Sequence, residues 1–162
     1  MSGFTISMDT SSLQIALQQD LQAFNDAARP AAQAGAQVLY DEVRRNVSRI
    51  KRKTGNLAAS IYQVYSTDDS RPGGPQTYHV SWNAKKAPHG HLVEFGHLQR
   101  YEVIYDPETR RLWTDKTKPL ATPRQVAARP FIRPALAAKG EAALQAMEDR
   151  FRAELQASGV TR

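Results

Sequence analysis

The sequence contains no cysteine, which removes disulfide frameworks, thiolate metal sites and a cysteine nucleophile at once, and leaves the redox compartment open. No stretch approaches the ~18 consecutive apolar residues that a membrane-spanning helix needs. Residues 1–10 have neither the basic start nor the unbroken apolar segment of a signal peptide. The expectation is a soluble protein made in the cytoplasm, with no membrane partner. Phosphate-binding glycine loops, nucleophile elbows and paired-carboxylate patterns are also missing, and Gly73-Gly74 stands between prolines without a strand-to-helix context. The sequence therefore predicts no catalytic residue and no cofactor.

What is present is enough for one core. The chain has 162 residues, 41% of them hydrophobic, which suits one domain over 1–162 and is short for two. Its 22 Lys and Arg exceed 16 Asp and Glu, for a formal charge of +6. That excess favours acidic protein surfaces, anionic membranes or nucleic acid without choosing among them.

Periodicity divides the chain. Leu13, Leu17, Leu21 and Phe24 recur on one helical stripe, followed by Leu39, Val43, Val47 and Ile50 on a second. Pro30 lacks an amide donor and predicts a split or kink between two helical segments. From Thr77 to Trp82 the period changes to two, with Tyr78, Val80 and Trp82 on one face, and Ser60 to Ser66 is the expected partner strand. Residues 67–76, rich in Asp, Ser, Gly and Pro, predict a mobile loop. Tyr101 to Tyr105 and Arg110 to Trp113 flank Asp106-Pro107-Glu108-Thr109 as a hairpin, and a second mobile loop is expected over 114–128. A last helix starts near Pro134 and carries Leu136, Leu144, Met147, Phe151 and Leu155, with 157–162 as a frayed tail and 1–10 as a flexible start. The order predicts an α+β fold, with N-terminal helices and a C-terminal helix packed on a small, mostly antiparallel β-sheet.

Three groups of residues invite a chemical reading. His89, His91, Glu94 and His97 are close enough to suggest zinc or proton transfer, but His91 and His97 are six apart where a helical zinc motif needs four, and Gly90 and Gly96 interrupt regular structure. Surface histidines beside a turn explain them more simply, so no metal is expected. Tyr62, Tyr65, Tyr78 and Trp82 could stack bases, although strands use such residues for ordinary packing. Arg44, Arg45, Arg49, Lys51, Arg52 and Lys53 crowd the end of the second helical segment, where they complement the helix dipole and could meet DNA phosphates or an acidic partner. No base-reading fold accompanies them.

Three further segments occur in a telling order: Thr54-Gly55-Asn56-Leu57-Ala58-Ala59-Ser60-Ile61, Val93-Glu94-Phe95-Gly96, and Arg129-Pro130-Phe131-Ile132-Arg133-Pro134-Ala135-Leu136. Together with the flanking helices, roughly Pro30 to Leu155, the chain resembles the minor tail, or tail-completion, family of long-tailed bacteriophages. That family shows a basic N-terminal helix, T-G-x-L-x-x-S-I, V-E-F-G, and P-F-x-R-P-A-L opening a C-terminal helix. Two departures stand out: His97 occupies a place where a hydroxyl residue commonly follows V-E-F-G, and Leu98 to Ala128 is long, an added hairpin suited to particle-specific contacts.

The motif residues Gly55, Leu57, Ser60, Ile61, Glu94, Phe95, Gly96, Pro130, Phe131 and Pro134 read as structural. Gly55 and Gly96 suit positive φ where helices stop, and Pro134 presets a helix start. Phe131 and Ile132, held extended by Pro130, are expected to insert beside Phe95 and anchor the last helix. The resemblance implies a structural virion protein at the head-proximal end of the tail, assembled in the host cytoplasm into a six-fold ring of identical chains. Tail tube protein, a neck or head-closure protein and DNA in passing are the implied contacts. A tail terminator or neck adaptor is the neighbouring alternative, and a basic nucleic-acid-binding accessory protein the alternative from another class. A metal-dependent hydrolase built on His89, His91 and Glu94 ranks third.

Overall fold

A computed structural model describes residues 9–50, 55–109 and 111–160. The elements, in order, are α1 (Ser11–Arg49), α2 (Asn56–Ser60), β1 (Ile61–Ser66), β2 (Thr77–Trp82), α3 (Gly90–Phe95), β3 (His97–Asp106), β4 (Arg111–Val126) and α4 (Arg133–Ala157). The architecture is α+β, as the periodicities require. Its strands form two separate two-stranded antiparallel sheets, β1-β2 and β3-β4, instead of one small sheet.

The predicted split at Pro30 does not occur: α1 is one helix of 39 residues with Pro30 inside it. Tertiary packing accounts for this. Ala27, Ala31, Ala32, Gly35 and Ala36 are buried on both sides of the proline. They form a stripe of small residues that lets α4 come close, and this packing outweighs the amide bond that Pro30 cannot make. At Gly35 an added Cβ would stand 2.5 Å from Met147 Cγ and 3.0 Å from the Ala143 carbonyl. Phe24 meets Phe151, Gly35 meets Met147, and Asn46 Nδ2 donates to the Phe131 carbonyl, so the two helices run antiparallel.

The ladder β1-β2 lies against α1. Its register pairs Ile61 with Trp82, Gln63 with Val80 and Tyr65 with Tyr78, which puts these six residues on one face. Arg29, on α1, sits 4.2 Å from the Tyr65 ring centre, and Tyr65 packs edge-on to Tyr78 at 5.3 Å. Trp82 belongs to the core margin beside Phe131. Three of the four aromatics considered as a stacking platform are thus engaged in packing, while Tyr62 is exposed on the other face.

The region beyond α3 departs most from expectation. Strand β4 continues to Val126 where a loop was predicted from residue 114, and β3 begins at His97. The polar composition of 114–126 fits a ladder with solvent on both faces, which leaves no alternating pattern to read. Between Asp115, which pairs with Glu102, and Pro119, which pairs with Tyr101, β4 carries three extra residues. Asp115 accepts bonds there from the Thr117 amide at 3.0 Å and hydroxyl at 2.6 Å, pinning the bulge. Residues 90–95, read as interrupted by glycines, form the short helix α3; Gly90 begins it because the Trp82 indole leaves no room for a side chain there.

Candidate functional site

The three motif segments converge where α1, α3 and α4 meet. Phe131 is fully buried among Val43, Val47, Leu57, Ile61, Ala87 and Ala135, with its ring edge-on to Trp82 at 5.8 Å. Phe95, its expected neighbour, is instead 63% exposed and lies under the Arg133 guanidinium at 4.9 Å. The anchoring partner is therefore the α1 and β1-β2 core. Successive residues of a helix stand about 100° apart, so with Glu94 turned inward on α3, Phe95 faces outward.

Glu94 is 2% exposed and does what sequence spacing could not announce. Helix α4 has no side-chain cap of its own at Ile132 and no acidic residue in its first turn, so its first amides need partners from elsewhere. Glu94 Oε2 accepts from the amides of Phe131 at 2.7 Å and Ile132 at 3.1 Å, and Oε1 from the Arg133 amide at 3.2 Å. Pro134, next in line, has no amide to satisfy. Arg133 Nε also donates to Oε1 at 3.2 Å, and its terminal nitrogen to the Glu94 carbonyl. Burial pushes the carboxyl pKa up, but the backbone bonds from Phe131, Ile132 and Arg133 and the Arg133 side chain outweigh it and hold it below the ordinary carboxylate range. The result is a charged brace between the end of α3 and the start of α4, favoured further by the α4 dipole.

The glycines take related but distinct places. Gly96 closes α3 at φ +73, where an added Cβ would fall 2.7 Å from the Val126 carbonyl and 2.8 Å from the Ala128 amide. Gly55 adopts φ +78, but at the start of α2; α1 is ended by Ile50 in extended conformation. Leu57 and Ile61 enter the core, and Ser60 Oγ donates to the Leu57 carbonyl at 2.8 Å.

The histidines are not drawn together into a metal site: no group of three or more His, Asp or Glu able to hold an ion exists among the described residues. Burial, and then the charge of His91, lower the His89 pKa and favour its neutral form, while Glu94 is spent on α4. Of the basic group, Arg45 pairs with Glu42, and Arg44 reaches the Tyr40 hydroxyl at 3.3 Å and stacks over its ring. Lys51, Arg52 and Lys53 lie outside the described residues. Arg49 lines an open groove of about 440 Å³ with Asn46, Ile50, Arg129, Pro130 and Pro134, and neither arginine there makes an ion pair among the described residues. Arg129 was invisible as a basic-site member because it is 80 residues away in sequence and arrives through the Phe131 anchor. No helix among the described residues is long and apolar enough to cross a membrane.

The family model described as "Bacteriophage HK97-gp10, putative tail-component" matches residues 12–96, just over half of the chain. The chain belongs to the HK97-gp10-like family. The match runs from the first turn of α1 through α3 and stops at Gly96. The brace therefore joins a carboxylate inside the family-matched region to amides outside it, and the β3-β4 hairpin and α4 lie wholly beyond. No curated protein and no solved structure is similar enough to match. A structural role in a phage tail follows from the family.

Proposed function

We propose that the chain is a ring-forming subunit at the head-proximal end of the tail, joining the tail tube to the neck. Its side chains contribute by docking, and binding energy comes from apolar contact and charge. The observation that carries this reading is the β3-β4 hairpin. Tyr101, Val103, Tyr105 and Leu112 share one face of it and are exposed, as is Trp113 on the opposite face. Apolar exposure of this extent on an element with solvent on both sides marks a surface meant for another protein. Neither strand has a second strand neighbour among the described residues, so both edges can take a partner strand.

A tail terminator or neck adaptor would use the same surfaces in a neighbouring ring. Six copies closing by a head-to-tail interface would place the exposed arginines on one rim, for acidic partners or for DNA in passage. Electron microscopy of particles made without the chain, or with residues 100–122 replaced by a two-residue turn, tests the reading. Filled heads and tube assemblies that fail to join are expected. Normal particles with firmly attached tails would overturn it.

A further inference from the structure

Helix α1 is polarised in a way that no contact among the described residues uses. From Ser11 to Ala28 it carries two aspartates and no basic residue, whereas its other end carries Arg44, Arg45 and Arg49. Every residue from Ser11 to Gln22 is exposed. Leu13 is 66% exposed, and Leu17 and Leu21 are also exposed on the same stripe. That stripe continues the seam that packs on α4: Phe24 and Gly35, on the same face, meet Phe151 and Met147. Past the end of α4 the seam has no partner among the described residues. A free helix of this length is marginal in water, so its apolar face calls for a cover.

The complementary surface is the groove at the other end of the molecule. Ile50, Pro130 and Pro134 supply apolar lining, and Arg49 and Arg129 add positive charge that forms no ion pair among the described residues. Asp20 stands about 60° round the helix from Leu17, where it flanks the leucine stripe. The arm thus offers apolar anchors at i, i+4 and i+8 with a carboxylate beside them, a helix-in-groove pattern matched in sign to the arginines. It cannot reach its own groove. Leu21 and Arg49 belong to one unbroken helix and are about 42 Å apart along its axis.

We propose that the Ser11–Gln22 arm of one copy docks in the Arg49–Arg129 groove of the next, with Leu17 and Leu21 on the Ile50–Pro130–Pro134 lining and Asp20 beside the arginines. This deepens, and rests on, the self-associating reading above. The interface is heterologous, so repetition gives a ring where the rotation closes and a filament where it does not.

The absence of native cysteine allows a clean test on the full chain. Leu17→Cys/Ile50→Cys is expected to give a ladder of disulfide-linked multimers under mild oxidation, while the control Leu17→Cys/Thr67→Cys gives none. Sedimentation should show self-association weakened on the order of ten-fold by Asp20→Arg, or by Arg49→Asp with Arg129→Asp, and recovered when the reversed chains are mixed. All these positions except Ile50 are exposed, so melting temperatures should stay near that of the natural chain, and the charge variants stand even if Ile50→Cys perturbs folding. Rings that form without the cross-link and ignore charge reversal would overturn the docking and leave the ring intact. A ladder made only of open chains would support the docking and count against ring closure. A chain that sediments as a monomer at every concentration would overturn both.

Discussion

The molecule contains two antiparallel hairpins of opposite fate, each with one of its two tryptophans. In β1-β2, Trp82 packs against Phe131, and the ladder lies on α1. In β3-β4, Trp113 is 50% exposed, and among the described residues the ladder makes substantial contact with no helix. An isolated two-stranded ladder is marginal in water, so the second is held by its own register, by the Asp115 bulge and by Gly96 at its root. The first hairpin serves the fold, and the second is surface offered outward. Folding free energy should therefore respond to changes near one tryptophan, and assembly to changes near the other.

The largest stability effect is expected at Phe131. Phe131→Ala removes a fully buried ring from the meeting point of α1, β1-β2 and α4 and should cost about 3 to 5 kcal/mol. Denaturant unfolding measures it. In a Trp113→Phe background the fluorescence of Trp82 should also shift to the red, because the ring edge-on to its indole is gone. A variant that melts like the parent, with unchanged emission, would show that the two elements are not locked together by this contact.

Next comes the brace. Glu94→Gln keeps an acceptor oxygen but loses the charge that three amides and Arg133 address, at a cost of roughly 1 to 3 kcal/mol at neutral pH. The exposed Arg133 contributes the smaller part, since solvent screens its side of the pair. Because the folded carboxyl pKa lies below its unfolded value, the stabilisation is complete above the ordinary glutamate range near ~4.3 and is lost as pH falls through the folded value. The difference in melting temperature between the natural chain and the Glu94→Gln variant should thus be steady from about pH 8 to 6 and shrink toward zero in acid. A gap independent of pH would assign the effect to packing.

The same contrast explains what was legible in the sequence. Strand β2 alternates because one face is turned to α1, and the end of α1 carries a helical stripe because it flanks a core. By contrast, β1 has Gln63 on the inner face and Val64 exposed, and the stripe expected on α4 holds only in part: Leu136 and Leu144 are exposed, and Ala135, Ala143 and Leu155 are buried. The motif residues pointed to the joint, yet not to its wiring: Glu94 and the amides it caps are 37 to 39 residues apart, and nothing local ties a carboxylate to a distant helix start. Pro30 misled because the signal of a helix breaker is local, while the alanine and glycine seam that overrides it becomes decisive only once Ala143 and Met147 are brought alongside. The second half of β4 misled for the opposite reason, since a strand buried on neither face needs no periodicity. The Arg49–Arg129 groove was half visible, one arginine in a basic run and the other beyond the hairpin.

The smallest expected stability effect is at the second tryptophan, and there the comparison is sharpest. Trp113→Ser, on the exposed ladder, should change unfolding free energy by only about 0.5 kcal/mol, an order of magnitude below the cost at Phe131. Its cross-strand neighbour Ile104 is only half-buried and makes a modest local contact. If the hairpin is the surface through which the tail subunit meets its partners, the same change should nonetheless lower the yield of joined particles by roughly ten-fold or more, as expected when a large aromatic is removed from an interface centre. Full assembly with full stability would mean that this face of the hairpin is not the contact. Strong destabilisation would mean that the hairpin is part of the core after all, which would dissolve the distinction between the two ladders.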